Sequence, residues 1–285
     1  MGMMVEIRNV QTIDEFRACE ELQFHAWRMP DYREVVPLHL LVAGQKAGGL
    51  LLAAFDGGRV VGFVFGFPGL AREGQRYHYS HMMAVAPDLQ GQGIGWQLKC
   101  AQREAVLAQG LDRICWTYDP LEVRNAHLNI AKLGAVCRTY LRDLYGPMTD
   151  GLNAGLPSDR FQVDWWLDSR RVTERLARRG GTGVSEPGAW ALHGVERTGG
   201  LRAPGRLNLD TGEARLGVEI PANYQAVKSA DPELALAWRL ATREALEACF
   251  AAGYVAVEMV WLRSAPGGRA YYVLERDLKR DEEAS

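Results

Sequence analysis

Residues 87–99 read PDLQGQGIGWQLK and place three glycines, Gly91, Gly93 and Gly95, at alternate positions directly ahead of an amphipathic helix. Glycine gives up more conformational entropy on folding than any other residue, so a cluster of this kind points to a demand for bare backbone. A helix N-terminus carries unpaired N–H groups and partial positive charge, which makes an anionic group, a phosphate first of all, the natural occupant. A Walker A loop requires G-x-x-x-x-G-K-[ST], which is nowhere in the chain, and a dinucleotide fingerprint requires G-x-G-x-x-G, which fails at Trp96 when counted from Gly91. Pro87-Asp88 also interposes a turn that a tight strand-to-helix junction lacks. What remains is Q-x-x-G-x-G, met by Gln90, Gly93 and Gly95.

The surrounding pattern is that of an α/β chain. Residues 4–10 alternate as a strand, and Thr12 or Asp14 is placed to cap a helix running to about residue 28. GGLLLAAFDGGRVVGFVFGF carries two β-rich runs about Asp56-Gly57-Gly58, which is hairpin chemistry. After the polar stretch PGLAREGQR comes the strand YHYSHMMAVAP, then the glycines. Ile94, Leu98, Ala101 and Ala105 mark one face of a helix that closes at Gly110. LDRICWTYD is the next strand. Asp119, Pro120 and Glu122 form a capping-box arrangement for a helix whose apolar stripe is Val123, Ala126, Ile130 and Leu133 and which ends at Gly134. FQVDWWLD (161–168) alternates again.

Beyond residue 168 the composition shifts. Residues 169–205 are basic and then rich in Gly, Ser and Pro, as in a linker. Strands return in 206–285 around a helix that begins at Asp231-Pro232. The sequence thus divides into 1–168, a linker at 169–205 and an α/β extension at 206–285. The order LGVEIPANYQ, helix, YVAVEMVW echoes HMMAVAPDLQ, helix, RICWTYD, so the extension reads as a degenerate second half, with Lys228-Ser229-Ala230-Asp231 where the glycine motif would stand.

The 285 residues carry 33 Lys+Arg against 35 Asp+Glu, a net charge of −2, which supplies no global attraction for nucleic acid or an anionic membrane. Five scattered cysteines without a C-x-x-C pair fit a reduced, cytoplasmic protein without structural zinc. No basic-then-apolar leader opens the chain, and the apolar run at 60–70 is too short to span a bilayer.

With Q-x-x-G-x-G following a strand that ends in Val-x-Pro, and with the hairpin before it and the helix ending in KLG after it, residues 4–168 resemble the GNAT superfamily of CoA-dependent N-acyltransferases. WTYDPLEVRNAHLNIAKLGA and YGPMTDGLNAGLPSDRF are similar to a bacterial subgroup with a C-terminal extension. The resemblance implies a mixed central sheet flanked by helices, acetyl-CoA or another acyl-CoA as co-substrate, no metal, and a small-molecule amine as acceptor, and it leaves room for a homodimer. An amino-acid N-succinyltransferase and a CoA-binding regulatory module without catalysis are the competing readings. The CoA pyrophosphate is expected on the amides of Gln90, Gly91, Gln92, Gly93, Ile94 and Gly95. The backbone of Met83 and Val85 is expected to pair with the pantetheine arm, and Asn125, four residues before Asn129 on one helix face, to touch cofactor or substrate.

Attack of an amine on a thioester requires a base for the amine, stabilisation of the oxyanion and a proton for the leaving thiolate. His81, on the strand before the glycines, stands where many GNAT members place a base, and an imidazole titrates in the right range. His78, three residues away, belongs to the other strand face, so the two make a poor metal pair. Many members carry a tyrosine two residues before KLG as the acid; here that position is Ile130. Tyr118, Tyr140 and Tyr145 are the substitutes, with Tyr140 preferred because it follows the helix closely. Arg72 and Arg76, after the hairpin, border the acceptor site in the family and could fork onto an acceptor carboxylate; an exposed loop arginine is the plainer reading.

Overall fold

The computed structural model describes residues 4–178, 186–197, 200–210, 212–263, 268–276 and 278. These residues form two compact units, each continuous in space but not in sequence: one runs through Trp116 and includes Met148–Gly155, the other takes Thr117–Pro147 and the chain from Leu156 onward.

In the first unit β1 (Glu6–Asn9), β2 (Leu50–Asp56), β3 (Arg59–Leu70) and β4 (Arg76–Val85) pair antiparallel in that order, and β5 (Arg113–Tyr118) joins β4 in parallel. Helix α1 (Ile13–Trp27) starts at Thr12, whose side chain accepts from Glu15 N while the Glu15 carboxylate accepts from Thr12 N. Of the two candidate caps Thr12 is therefore the one used, and with Glu15 it satisfies donors that the helix itself leaves open. α2 (Leu38–Lys46) was hidden in the sequence behind Pro30 and Pro37. The hairpin turn between β2 and β3 is the two-residue Gly57-Gly58, both with positive φ (56° and 87°), as the strand twist of a tight hairpin demands.

This sheet is buried on both faces. Leu51, Ala53, Phe55, Phe63 and Phe65 pack with Phe16, Cys19, Leu22 and Leu41 of α1 and α2. Leu52, Ala54, Val61 and Val64 pack with Ile94 and Leu98 of α3 (Ile94–Ala108). Two-sided burial explains why β2 reads as an unbroken apolar run rather than an alternation.

The second unit contains the helix that begins as α4 (Val123–Ala126) and continues as a π-helix over His127–Lys132, then β6 (Val136–Leu141), β7 (Arg160–Trp166), α5 (Arg170–Arg178), β8 (Ala189–Glu196), β9 (Arg202–Leu207), β10 (Arg215–Ile220), α6 (Tyr224–Ala230), α7 (Pro232–Ala251), β11 (Tyr254–Leu262) and β12 (Arg269–Arg276). Its strands follow the order β7-β6-β11-β12-β10-β8-β9.

Three sequence expectations are corrected here. The stretch 169–205 is not a plain linker: α5, β8 and the start of β9 lie in it, while 179–185 and 198–199 fall outside the described residues. The boundary at 168 gives way because β6 pairs with β11 at Cys137↔Ala256 and so belongs with the later strands. The extension does not repeat the β4–α3–β5 pairing that its sequence echoes. β4 and β5, which flank α3, pair directly and in parallel, whereas β10 and β11, which flank α6 and α7, each pair antiparallel with β12 instead. α7 is also closed at its N-terminus, where Asp231 accepts from Leu234 N at 2.9 Å.

Asp119 provides a fourth correction. Its carboxylate does accept from Leu121 N, but the helix begins only at Val123, without a side-chain cap. Both carboxylate oxygens instead take the guanidinium of Arg239 on α7, at 2.9 and 2.5 Å, with Arg239 only 1% exposed. A helix cap is worth about 1 kcal/mol, whereas removing one partner of a buried ion pair strands the other and costs roughly 3–5 kcal/mol. Asp119→Ala is therefore expected to lose the larger amount in urea denaturation, and a loss near 1 kcal/mol would return Asp119 to the role of a cap.

Candidate functional site

The glycine loop and the two strands around it lie in the first unit. After β4, Pro87–Leu89 form a single tight turn and the chain enters the loop. Gly91 and Gly93 hold φ of 82° and 89°, a region that L side chains rarely adopt. A Cβ added at either would meet nothing within 4 Å, so packing does not explain these glycines; backbone conformation and an open approach do. Gly93 is the N-cap of α3, and no side chain caps the helix. Gln90, Gly91, Gln92 and Gly93 are exposed, with Gly95 half-buried and Ile94 packed into the core. Gln90 Nε2 reaches back to Val85 O at 3.3 Å and ties the loop to the end of β4. The result is a solvent-open helix N-terminus with free amides, chemically an anion cradle.

Leading up to that cradle, β4 pairs with β5 only at His78↔Ile114 and Tyr79↔Cys115. From Ser80 onward it parts from β5 while still pairing with β3 as far as Val85↔Gly62. Met83 and Val85 lie on this parted segment and pack toward α3.

His81 sits at a bulge: Phe65 pairs with Met82 and Gly66 with Ser80, which leaves His81 as the extra residue. Its ring lies 6.2, 6.0 and 6.4 Å from those of Phe65, Phe67 and Tyr79. The residue is exposed, yet the atoms crowded around its ring desolvate the charged form and lower its pKa. His78 faces the other way, fully buried, with Nε2 3.3 Å from Gln102 Nε2, and its ring lies where a Cβ on Gly66 would have to go.

Around His78 is a polar cluster that the helical pattern concealed. Lys99, 2% exposed, donates to Ser80 Oγ at 2.8 Å and to Gln102 Oε1 at 3.0 Å, and lies 3.9 Å over the Trp116 ring. Ser80 Oγ is in turn 3.1 Å from Gln102 Oε1. The inward face of α3 is Ile94, Leu98, Lys99, Gln102 and Val106, while Ala101 and Ala105 lie at its edge. A lysine and a glutamine one turn apart read as solvated face in a hydrophobicity pattern. The one available signal was their spacing of three, in line with Val106. Burial lowers the Lys99 pKa to about 7, and burial together with the Lys99 charge lowers that of His78 to about 4.

The remaining sequence-predicted residues are scattered. Arg72 is exposed in the loop after β3. That loop is shorter than the sequence suggests, because β3 extends to Leu70 and β4 begins at Arg76, itself exposed. Arg76 is five extended residues from His81, about 16 Å. In the second unit, Asn125 is exposed and Asn129 is buried, so the pair does not share a face; the switch to π-helical winding after Ala126 removes the i, i+4 register. Ile130 is fully buried with Val123, Ala126 and Leu133, as its stripe implies. Tyr140 donates to Asp159 at 2.7 Å, and burial and then the Asp159 charge raise its pKa far beyond the tyrosine range. Tyr118 is buried against Tyr272, and Tyr145 is exposed, 3.0 Å from Thr117 Oγ1. Among the described residues no group of three His, Cys, Asp or Glu side chains is arranged to hold a metal, and no helix is long and apolar enough to cross a membrane.

Residues 10–133 match the model of the Acetyltransferase (GNAT) family. Among solved structures the chain is similar to the ribosomal-protein-S18-alanine N-acetyltransferase of Escherichia coli, with 17% identity over 56% of this chain and 92% of that one and a TM-score of 0.44. It is also similar to an N-acetyltransferase of Staphylococcus aureus Mu50, with 16% identity over 58% and 100% and a TM-score of 0.45. A GNAT acetyltransferase of Brucella melitensis in complex with acetyl-CoA shares 21% identity over 43% and 80%, with a TM-score of 0.37. No curated protein sequence matches the chain.

The buried cluster has a pH signature. The Lys99 pKa is lower folded than unfolded, so between about pH 7 and 10 the unfolded chain binds more protons and stability rises with pH, by up to roughly 1.4 kcal/mol per unit. His78 acts in the same sense between its unfolded value near 6.5 and about 4, where acidification destabilises. Lys99→Met should flatten the alkaline slope in denaturation curves and, by removing the charge beside His78, weaken the acid one as well; an unaltered alkaline slope would show that Lys99 keeps an ordinary pKa.

Proposed function

We propose that the chain is an N-acyltransferase that moves an acetyl group, or another short acyl group, from its CoA thioester to a primary amine of a small molecule. The observation that carries this reading is the conjunction, within one unit, of an uncapped glycine cradle at α3 with a strand that parts from its neighbour just before it. The cradle suits a pyrophosphate: Gln90 to Gly93 are exposed at the uncapped start of α3, and the helix dipole favours the negative charge. The parted segment, including Met83 and Val85, has backbone groups that β5 does not pair, which suits an amide-bearing arm such as pantetheine. The CoA thioester supplies the activated acyl group; the rest falls to this chain's own residues.

His81 is the group proposed to take the acceptor's proton, directly or through water. Its lowered pKa keeps the imidazole neutral, and therefore able to accept, at pH 7. Strand alternation after Ser80 turns it away from the α3 side and among the rings of Phe65, Phe67 and Tyr79. The distance of about 16 Å along β4 between Arg76 and His81 argues against that arginine gripping the α-carboxylate of an amino acid whose amine is at His81. A non-amino-acid amine fits that spacing better than the N-succinylation of an amino acid does.

Two measurements test the reading. Gly93→Ala forces a side chain into a left-handed backbone at the point of phosphate approach, and should weaken CoA binding at least tenfold in calorimetry while the variant stays folded. Wild-type affinity in that variant would remove the cradle from the CoA site. His81→Ala should lower kcat by about 10²–10⁴ and abolish the rise of rate with pH through the lowered imidazole pKa, with CoA affinity kept. CoA binding without turnover of acetyl-CoA or succinyl-CoA on any amine would mark a regulatory module instead.

A further inference from the structure

Breaking a thioester leaves a thiolate that must acquire a proton, and the positions the sequence suggested for the donor are committed elsewhere. Ile130 has no proton to give, and the Tyr140 hydroxyl is held by Asp159. One buried ionisable cluster in the first unit has no assigned task. Lys99 is buried without a carboxylate partner: its hydrogen bonds go to Ser80 Oγ and Gln102 Oε1, and its remaining face lies on Trp116. A buried ammonium with no counter-charge is costly and calls for a reason.

The position of Ser80 supplies one. It is the first residue of β4 beyond the last pair with β5. An arm anchored at the glycine loop and lying along β4 from Val85 back toward the fork runs about 16 Å before the Tyr79↔Cys115 pair closes its way. The reacting end of such an arm therefore comes to Ser80.

We propose that Ser80 and Lys99 deliver the proton to the departing CoA thiolate, with Ser80 as the catalytic donor at the fork and Lys99 as the positioning residue that recharges it. The proposal rests on the N-acyltransferase reading. The nitrogen–carbon bond forms, the carbon–sulfur bond breaks, and the electron pair passes to sulfur. Sulfur takes the hydroxyl proton of Ser80, and Ser80 takes one from the Lys99 ammonium 2.8 Å away. Lys99 is left as a neutral amine and regains its proton from solvent before the next turnover; the two protons that the acceptor nitrogen loses, one as the ammonium becomes a free amine and one as the attacking nitrogen becomes an amide, leave through His81 to solvent. Before the sulfur departs, Gln102 Oε1 accepts from both Ser80 and Lys99 and so holds the pair in line; the Ser80 hydroxyl then turns from Gln102 to the sulfur.

The groups facing Lys99 are few: Ser80 and His78 from β4, Trp116 from β5 and Gln102 from its own helix. His78, held at about 4, is neutral across the working range, so Lys99 is the group of this cluster that titrates near neutrality, at about 7. A donor poised there matches the requirement for general acid catalysis at neutral pH.

The test uses the full chain with acetyl-CoA and its best amine from a panel. Lys99→Met and Ser80→Ala should each lower kcat at least tenfold while KM for acetyl-CoA stays within about twofold. The wild type should lose rate above about pH 7, that loss should vanish in Lys99→Met, and the double variant should be no slower than either single one. Lys99→Arg keeps the charge but releases no proton, so it should be as slow as Lys99→Met. Independently of turnover, the wild type should show a tryptophan fluorescence titration near pH 7, from the ammonium over Trp116, that Lys99→Met lacks. Full activity with an unchanged pH profile in Lys99→Met overturns the proposal, as do activity restored by Lys99→Arg and multiplying effects in the double variant. Absence of any acyl-CoA turnover by the wild-type chain overturns the acyltransferase reading itself, and the relay with it.

Discussion

Two parallel strands that pair at only two positions set the constraint on which the first unit turns. β4 keeps its ladder with β3 over its whole length, but lets go of β5 after Tyr79. A strand that lost its partner on one side would ordinarily slip or collapse onto it. Here both faces of the sheet are pinned, by Phe63 and Phe65 against α1 and α2 and by Val61 and Val64 against α3, so the register cannot drift. The fork is thereby held open by packing on either side of it.

The bulge at His81 is the second device built on that frame. Strand alternation turns Ser80 toward α3 and His81 to the opposite face among aromatic rings, and the extra residue then brings Met83 and Val85 back to the α3 side. Two neighbouring residues thus occupy chemically different surroundings, one buried among amide and amine groups, the other open to solvent. Groups with distinct proton affinities so close together are what acid–base chemistry on a single bond requires. The same logic accounts for Gly66, whose missing Cβ makes room for the His78 ring.

The second unit follows different physics. Its interior carries arginines matched to acids: Arg239 with Asp119, Arg243 with Asp159 at 2.8 Å, and Arg202 and Arg269 with the nearly inaccessible Glu219 at 2.6 and 3.1 Å. Such pairs add little net stability over apolar packing, but removing either partner is expensive, so they penalise alternative packings. Its uncapped-helix counterpart is missing as well, since Asp231 closes α7 where Gly93 leaves α3 open. Similar strand–helix–strand sequence patterns have become a cradle in one unit and a closed structural helix in the other.

Local chemistry was legible in the sequence wherever the signal is a short-range backbone requirement. Gly57-Gly58 forced the hairpin, Thr12 was one of two candidate caps for α1, and the glycines before Ile94 marked an open helix start, because turns, caps and positive φ depend on a few consecutive residues. Ile130 as an inward-facing residue was likewise readable from its stripe. What the tertiary structure alone decided is where side chains meet across long separations. Asp119 is drawn to Arg239, 120 residues later, and away from its helix. β12 inserts between β10 and β11 and undoes the apparent repeat. Lys99 and Gln102, polar residues on an amphipathic helix, turn inward because Ser80 and Trp116 arrive from two separate strands to receive them. Hydrophobic periodicity records which residues avoid water, but it is blind to a polar group whose partner comes from elsewhere in the chain.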